Sequence, residues 1–371
     1  MKSLKILQLN YLTKYNKGKT MKNIIKSLIV MLSSISLFAS ANAGELSVSG
    51  TAKATYNVYS GKSNTGKGLG ITNELNFTAS GELDNGYTWS YSMEIDPTDA
   101  TDNGVATNDD TKLTLTTPYG TFGVFVSEGA LDVEDGASQS VYARPTDVGD
   151  PSSGTGDNYT LDGYNNVQYH TASGMLPFGT VIKIGYAPDL DSTINSGDDA
   201  GQTIAVAAAG EGRSMTGYQV TATPIDGLTI GASYNEFDGA GVAKNDQEPE
   251  SGAYYIKYAT GPFSFGYSEA AKAMLLANDI AATGVEGYEQ TNYSIAYAAT
   301  DNLSVSYEVE EDTKKSVTAA TADVDQESKS IQAAYSVGGA TISAVMGTYD
   351  NVGWDTTTSI DQFLLAVTMA F

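Results

Sequence analysis

Residues 45–59 read ELSVSGTAKATYNVY, and their alternation indicates the fold class. Its apolar side chains share one parity: Leu46, Val48, Ala52, Ala54, Tyr56 and Val58. The positions between them are polar: Ser47, Ser49, Thr51, Lys53, Thr55 and Asn57. Alternation with a period of two places successive side chains on opposite faces of an extended chain. The stretch therefore predicts a β-strand with one apolar and one polar face.

The same alternation recurs along the rest of the chain, and helical periodicity is nowhere sustained. It predicts about 16 strands, at 45–59, 70–83, 87–96, 110–117, 121–127, 165–171, 178–187, 213–223, 228–237, 252–259, 263–270, 288–299, 303–312, 327–337, 340–349 and 359–371. Tight turns rich in Gly, Pro, Asn and Asp alternate with long polar segments such as 189–212 and 238–251. This order indicates an all-β, antiparallel, up-and-down meander.

Such a meander builds either a secreted soluble β-protein or a transmembrane β-barrel. A soluble fold buries its apolar face, whereas a membrane barrel turns that face to lipid and needs apolar residues only at alternate positions. Hydrophobic residues make up 41% of the chain, and its 24 tyrosines suit the aromatic girdles of a membrane interface. Both features favour the transmembrane barrel.

The first 43 residues predict a secretory signal peptide. Lys22 and Lys26 precede an apolar run from Leu28 to Phe38, which is shorter than the roughly 20 residues of a membrane-spanning helix. Ala41-Asn42-Ala43 fits the small-x-small cleavage pattern, so we expect cleavage after Ala43 and a barrel at 44–371. Residues 1–20 are either an elongated n-region or the product of an upstream start codon read in error.

Composition excludes several kinds of chemistry. The chain has no cysteine and one histidine, so it builds neither a disulfide framework nor a Cys/His zinc site. Its net charge of -24 and its pI near 4.2 argue against nucleic acid as a partner. Removing the seven lysines of residues 1–43 makes the net charge -31. Charged partners should therefore be cations.

The last strand carries a more specific signal. Its apolar parity ends on a terminal aromatic residue: Phe363, Leu365, Val367, Met369 and Phe371. This pattern resembles the final strand of Gram-negative outer-membrane proteins, in which the terminal aromatic is the signal read by the assembly machinery. With the export signal and 16 strands, the chain is similar over essentially all of residues 44–371 to a general diffusion porin. The resemblance implies an outer-membrane location and a homotrimer in contact with outer-membrane lipid.

The resemblance also covers one long connection. Residues 127–164 follow the fifth predicted strand and precede Asn165-Asn166-Val167-Gln168-Tyr169, which is similar to the strand after the inward-folded third loop of porins. In that family the loop narrows the pore, and it carries an acidic face. The matching positions here are Glu128, Asp132, Glu134 and Asp135.

The family's arginine cluster opposite this loop is not matched, because Arg144 and Arg213 are the only arginines. Parity places four lysines on polar faces: Lys53, Lys112, Lys183 and Lys257. We take them as candidates for a basic pore wall. Each can equally be an ordinary solvated charge near a rim.

Enzyme chemistry finds little support. A phospholipase needs a Ser/His pair, and the sole histidine, His170, lies at a predicted strand end beside a tight turn. No calcium loop with spaced ligands and a terminal Glu is present. We expect no catalytic residues, no dedicated metal site and no cofactor, while weak Ca²⁺ binding by the acidic loops stays open.

The sequence thus predicts a porin that lets small hydrophilic solutes and ions diffuse passively. Residues 127–164 hold eight acidic residues against Arg144, so we expect cation selectivity. The alternatives are a substrate-selective nutrient channel and a structural or adhesive outer-membrane barrel.

Overall fold

The computed structural model describes residues 45–61, 65–97, 106–148, 157–188, 214–238, 245–247, 249–274, 276–277, 284–317 and 321–371. Within these ranges lie eighteen strands: β1 (Glu45–Gly61), β2 (Gly66–Glu82), β3 (Thr88–Pro97), β4 (Ala106–Thr117), β5 (Gly120–Val126), β6 (Asn166–Thr171), β7 (Val181–Ala187), β8 (Ser214–Ile225), β9 (Leu228–Asp238), β10 (Asn245–Gln247), β11 (Glu250–Thr260), β12 (Phe263–Ala273), β13 (Leu276–Ala277), β14 (Val285–Ala298), β15 (Leu303–Ser316), β16 (Val324–Val337), β17 (Ala340–Asp350) and β18 (Ser359–Ala370). The predicted signal peptide lies outside the described residues.

Sixteen of these strands form one closed antiparallel barrel, in which each strand pairs with its neighbours in chain order. β1 closes the ring by pairing with β18, from Thr51 opposite Ala370 to Gly61 opposite Ile360. Closure matters in a bilayer because an open edge would expose unpaired backbone groups to lipid. The predicted strand number, order and antiparallel topology are confirmed.

The last residue extends this closure. Phe371 donates its N–H to the Gly50 carbonyl at 2.9 Å and accepts the Gly50 N–H at 2.8 Å. The Phe371 ring lies over Gly50, where a Cβ atom would approach the ring to 2.9 Å and the Glu74 carbonyl oxygen to 2.5 Å. Glycine at position 50 therefore lets the terminal ring and the neighbouring strand pack against β1.

The two faces of each strand differ as predicted. On β14, Tyr293 and Ile295 are exposed, whereas Asn292 and Ser294 are buried. The polar side chains at alternate positions of the barrel strands from β8 to β18 contact a single segment, residues 127–164. One segment can contact so many strands only from inside the ring, so the polar parity faces the lumen and the apolar parity faces outward.

Boundary differences have local causes. The predicted seventh strand starts too early, because Pro177–Gly179 forms a 3₁₀ turn before β7 begins at Val181. β15 and β16 are longer than predicted and occupy much of the polar segment 311–325. β10 and β13 were not predicted; they pair with each other in the connections that flank β11 and β12. Among the described residues, no helix has the length and apolarity needed to span a bilayer.

Candidate functional site: the loop inside the barrel

Residues 127–164, described at 127–148 and 157–164, leave β5 and turn into the barrel. Ser127 has a φ of 52° and Gly129 a φ of 91°, so the chain bends through two left-handed residues at the entry. Asn166 at the start of β6 donates its side-chain amide to the carbonyls of Glu128 and Tyr164, at 2.9 and 3.0 Å. Its amide therefore joins the beginning and the end of the loop.

From this base the loop runs around the inner wall. Its backbone N–H groups bond to wall side chains in the pairs Val133–Ser233, Tyr159–Ser251, Gln139–Ser294, Val141–Ser306, Tyr142–Gln332 and Thr146–Glu310, over 2.7–3.1 Å. Its carbonyls accept from the wall in the pairs Leu131–Gln219, Glu134–Ser268, Ala143–Gln332 and Val148–Gln362, over 2.6–3.1 Å. We call the inner faces of the barrel strands from β8 to β18 the covered wall, and those of β1 to β4 the open wall.

The loop also buries apolar side chains inside the barrel. Leu131 and Leu161, one from each arm of the loop, are fully buried with Ala187 and Met215 of the wall. Burial of a leucine side chain contributes about 1.5–3 kcal/mol. This lumen therefore contains a small apolar core that holds both arms of the loop in place.

Glycines on the inner faces of β7, β8 and β12 make room for these contacts. A Cβ atom at Gly185 or Gly217 would lie 2.3 or 2.8 Å from the Leu161 side chain. A Cβ at Gly266 would lie 1.7 Å from the Ala137 carbonyl oxygen. The loop backbone thus sits directly on the strand backbone at Gly266.

Two buried carboxylates of β15 are the strongest anchors. Glu308 accepts hydrogen bonds from the hydroxyls of Ser138 and Ser140, both at 2.7 Å. Glu310 accepts the backbone N–H and the hydroxyl of Thr146, at 3.0 and 2.7 Å. Both carboxylates are almost fully buried, and hydrogen bonds to charged groups are stronger than neutral ones. Parity places both glutamates on the polar face, but sequence alone did not identify them as anchors for the loop.

Arg144 forms ion pairs with three acidic side chains, two from the loop and one from the wall. Its guanidinium pairs with Asp147 at 2.9 and 3.2 Å and with Glu310 at 3.5 Å, and it also forms an ion pair with Asp135. Burial lowers the pKa of Arg144, but the carboxylates of Glu310, Asp135 and Asp147 together raise it by more, so the guanidinium stays charged. The loop's only arginine is therefore an internal clamp between loop and wall.

The four acids predicted for the constriction lie in different environments. Glu128 forms an ion pair with Lys112, so one predicted acid and one predicted base bind each other. Asp135 is about half exposed and pairs with Arg144. Asp132 is largely enclosed, and burial raises its pKa. The structure thus does not gather these acids on one surface.

Glu134 faces the other arm of its own loop. Its side chain is 4% exposed, and its carboxylate oxygens accept the Asn158 backbone N–H at 2.9 and 3.1 Å. Burial, followed by the nearby carboxylates of Asp132, Asp135 and Asp157, raises its pKa to about 9. Glu134 is therefore mostly protonated at neutral pH and presents little charge to the pore.

The four predicted lysines all lie on the inward parity, but at different places. Lys53 is on the open wall, with its Nζ 5.7 Å from the centre of the Tyr142 ring. Lys183 stands opposite His170 in the β6–β7 pair. Lys257 lies near the short turn between β8 and β9, beside Asp226 and Gln139. These lysines therefore form no single cluster.

Between the loop and the open wall lies a polar cleft of about 630 Å³. Hydroxyl groups dominate its lining, and its charged side chains come from both sides. The polar lining comprises Thr51, Lys53, Thr55, Asn57, Thr72, Glu74, Tyr142, Asp147, Thr341, Ser343 and Thr368. Asp147 and Glu74 are exposed. In the described ranges no three acidic or histidine side chains converge to form a metal site.

These features define a class: an outer-membrane-type β-barrel whose interior is narrowed by an inward-folded loop. The family model described as Gram-negative porin matches residues 28–362. The chain belongs to the Gram-negative porin family. Its location is the outer membrane, and its fold is that of a channel. No curated protein sequence matches it.

Solved structures agree on the fold. OmpT of Vibrio cholerae in its trimer form is 14% identical, with a TM-score of 0.59 over 89% of this chain and 100% of that one. OmpF of Salmonella typhi in complex with daunomycin is 12% identical, with a TM-score of 0.63 over 89% and 98%. A porin refined at 1.8 Å is 16% identical, with a TM-score of 0.60 over 88% and 100%. At such identities the likeness concerns the fold.

Proposed function

We propose that this porin lets small hydrophilic solutes and ions diffuse passively through the cleft between the loop and the open wall, with a preference for cations. The observation that carries the proposal is the path of the loop. It is fastened to the covered wall by hydrogen bonds and an apolar core, and a hydroxyl-lined cleft lies between it and the open wall. A fixed constriction of this kind selects by size and charge and needs no cofactor.

Cation preference follows from the carboxylates in and beside the cleft that no lysine neutralises. Lys112 and Glu128 neutralise each other, whereas Arg144 alone faces Asp135, Asp147 and Glu310. Glu74 adds a negative charge on the open wall, against Lys53. The balance stays negative, but it is smaller than the acidic residues of the loop imply by count alone. Fixed charge in a pore narrower than the screening length of about 8–10 Å acts on every passing ion.

Planar-bilayer recording tests this proposal. Reversal potentials across a KCl gradient should show cation preference that weakens at high salt. The double variant Glu74→Gln/Asp147→Asn should reduce the preference, whereas Glu134→Gln, the matched control at a buried and mostly neutral acid, should leave it unchanged. An anion-selective wild-type pore would contradict the proposal. Absence of conductance would favour the adhesive barrel, and saturable block by one nutrient the substrate-selective channel.

We also propose that the chain has no catalytic step. In the part of the chain that the structure describes, His170 lies on the inner wall and its Nε2 is 2.7 Å from the Gln168 side-chain oxygen. No serine hydroxyl lies within hydrogen-bonding distance of the imidazole there, so the arrangement lacks the nucleophile–base pair of a hydrolase. Hydrolysis of phospholipid by the purified protein, lost in His170→Ala, would overturn this.

A homotrimer is the proposed assembly. Leu69 and Ile71 on the outer face of β2 are 84% and 71% exposed, and Leu46 on β1 is 67% exposed. Such an apolar surface beside β1 suits contact with further copies, and V. cholerae OmpT is described in a trimer form. Leu69→Lys should yield folded monomers on native gels, while the outward-facing control Ile230→Lys keeps the trimer. A Leu69→Lys trimer of wild-type stability would place the interface elsewhere.

We propose that export depends on the signal peptide of residues 1–43 and that assembly depends on Phe371. N-terminal sequencing of outer-membrane protein should begin at Gly44; intact residues 1–43 would contradict cleavage after Ala43. Phe371→Asp should strongly lower the amount inserted by the assembly machinery, because the terminal ring packs over Gly50 at the closing strand pair. Wild-type amounts of the variant would exclude Phe371 as the assembly signal.

A further inference from the structure

Glu308, Glu310 and Asp312 lie in a row on the inner face of β15, and Asp312 differs from the two glutamates in its hydrogen bonding. Glu308 and Glu310 accept hydrogen bonds from the loop. Asp312, one step further along, is 1% exposed, and neither of its carboxylate oxygens accepts a hydrogen bond from any described residue. A buried carboxylate without a partner is costly, so this group requires an explanation.

Further unpaired atoms lie beside it on the same wall. Asn292 and Ser328 flank Glu310 in register on β14 and β16, one row from Asp312. Both are buried, and the Asn292 side-chain oxygen and the Ser328 hydroxyl make no hydrogen bond to the described residues. Gln290 stands directly opposite Asp312, and its side-chain amide acts on the carboxylate, although its nitrogen does not reach any acceptor with full hydrogen-bond geometry. The unsatisfied oxygens thus occupy adjacent positions on three neighbouring strands.

Among the described cationic side chains, Arg144 acts on Asp312 through its charge but forms no ion pair with it. Arg144, the nearest part of the loop's clamp, already pairs with Asp135, Asp147 and Glu310. Among the described residues, Asp312 takes part in no ion pair. A carboxylate, together with the amide oxygen of Asn292 and the hydroxyl oxygen of Ser328 on the neighbouring strands, provides the oxygen ligands that hard cations prefer.

We propose that the inner wall of β14–β16 binds a Ca²⁺ ion at Asp312, Asn292 and Ser328. Calcium takes six to eight oxygen ligands, so water completes its shell here. Only one carboxylate contributes, in keeping with the lack of any three-acid cluster, and the affinity should be in the weak range of about 10⁻⁴–10⁻³ M. The ion would stabilise the wall next to the anchor formed by Glu310 and Thr146.

Trp354 offers a direct probe of this site. Its indole N–H donates to the backbone carbonyl of Asp312 at 3.1 Å, so its ring lies close to the proposed ion. Tb³⁺ added to the purified, folded trimer in detergent should emit after excitation of tryptophan, and millimolar Ca²⁺ should displace it. Asp312→Asn should abolish the emission and Ser328→Ala should weaken it several-fold. Asp350→Asn, which changes an outward-facing carboxylate, should leave it unchanged.

Thermal stability gives an independent readout. Ca²⁺ should raise the heat-modifiability midpoint of the wild type and of Trp354→Phe, but not that of Asp312→Asn. In EDTA, Asp312→Asn should be as stable as the wild type or more so, because the substitution removes an uncompensated buried charge. Wild-type protein without Ca²⁺-displaceable emission, or Asp312→Asn with wild-type emission, would overturn the site; in the first case a proton would neutralise Asp312.

Discussion

The covered wall and the open wall carry the same inward polar pattern but serve different purposes. On the covered wall, small polar residues and Gly266 hold the loop by direct contact. On the open wall, a Cβ at Gly68 would meet no atom within 4 Å, and the neighbouring threonines line the cleft. A polar lumen-facing position therefore belongs either to a packed interface or to a solvated pore, and alternation alone does not distinguish them.

Removing the clamp should have the largest effect. Arg144→Met would leave Glu310 buried without its cation, which typically costs about 3–5 kcal/mol. We expect a much lower heat-modifiability midpoint and a larger, noisier single-channel conductance as the loop detaches. Lys53→Met on the open wall is the control and should keep wild-type stability. Equal stability of the two variants would mean that Arg144 does not fasten the loop.

Replacing a glycine by alanine should destabilise the protein at Gly266 on the covered wall but not at Gly68 on the open wall, because only Gly266 lies against the loop backbone. Gly266→Ala places a Cβ against the Ala137 carbonyl and should cost about 1–3 kcal/mol through displacement of the loop. Gly68→Ala, on the open wall, has free space and should be close to neutral in thermal unfolding. If both variants unfold alike, the contact between the loop and β12 is looser than described.

A pH titration tests whether the buried Glu134 of the loop is protonated in the folded state. Its folded pKa is about 9 against an ordinary value of 4.5, so the folded state binds more protons than the unfolded state between these values. Stability should therefore fall as pH rises through this window, by at most about 1.4 kcal/mol per pH unit. Unfolding midpoints from pH 5 to 9 measure the slope, which Glu134→Gln should flatten. An unchanged slope in that variant would assign the pH dependence to other groups.

The smallest effect is expected on the open wall itself. Lys53→Gln removes a positive charge from the cleft, so cation preference should rise modestly, by less than about twofold in permeability ratio, with stability unchanged. Reversal potentials measure this change. Lys315→Gln, at an outward-facing lysine paired with Glu289, should not alter them. A fall in cation preference in Lys53→Gln would show that Lys53 does not face the ion path.

The strands were predictable because each depends on local alternation and on the turn residues beside it. The closing strand was predictable from the alternating apolar pattern of Phe363 to Phe371. The path of the loop was not predictable, because its contacts join residues that are far apart in sequence. Gln362 and Val148, for example, are 214 positions apart. The alternation along β15 places Glu308 on the polar face, but its serine partners lie on the loop and no local pattern identifies them. Glu134 is acidic by sequence, yet burial and the neighbouring carboxylates raise its pKa to about 9. Periodicity reports the face of a residue and not what covers it.

The pairing of Phe371 with Gly50 has a consequence for biosynthesis. Translation runs from the N-terminus, so β18, which closes the ring on β1, is synthesised after the other fifteen barrel strands. A prematurely terminated product that lacks β18 has two free edges and no means of sealing them. Closure of the barrel therefore requires β18, because only then does every barrel strand have two neighbours for its backbone hydrogen bonds.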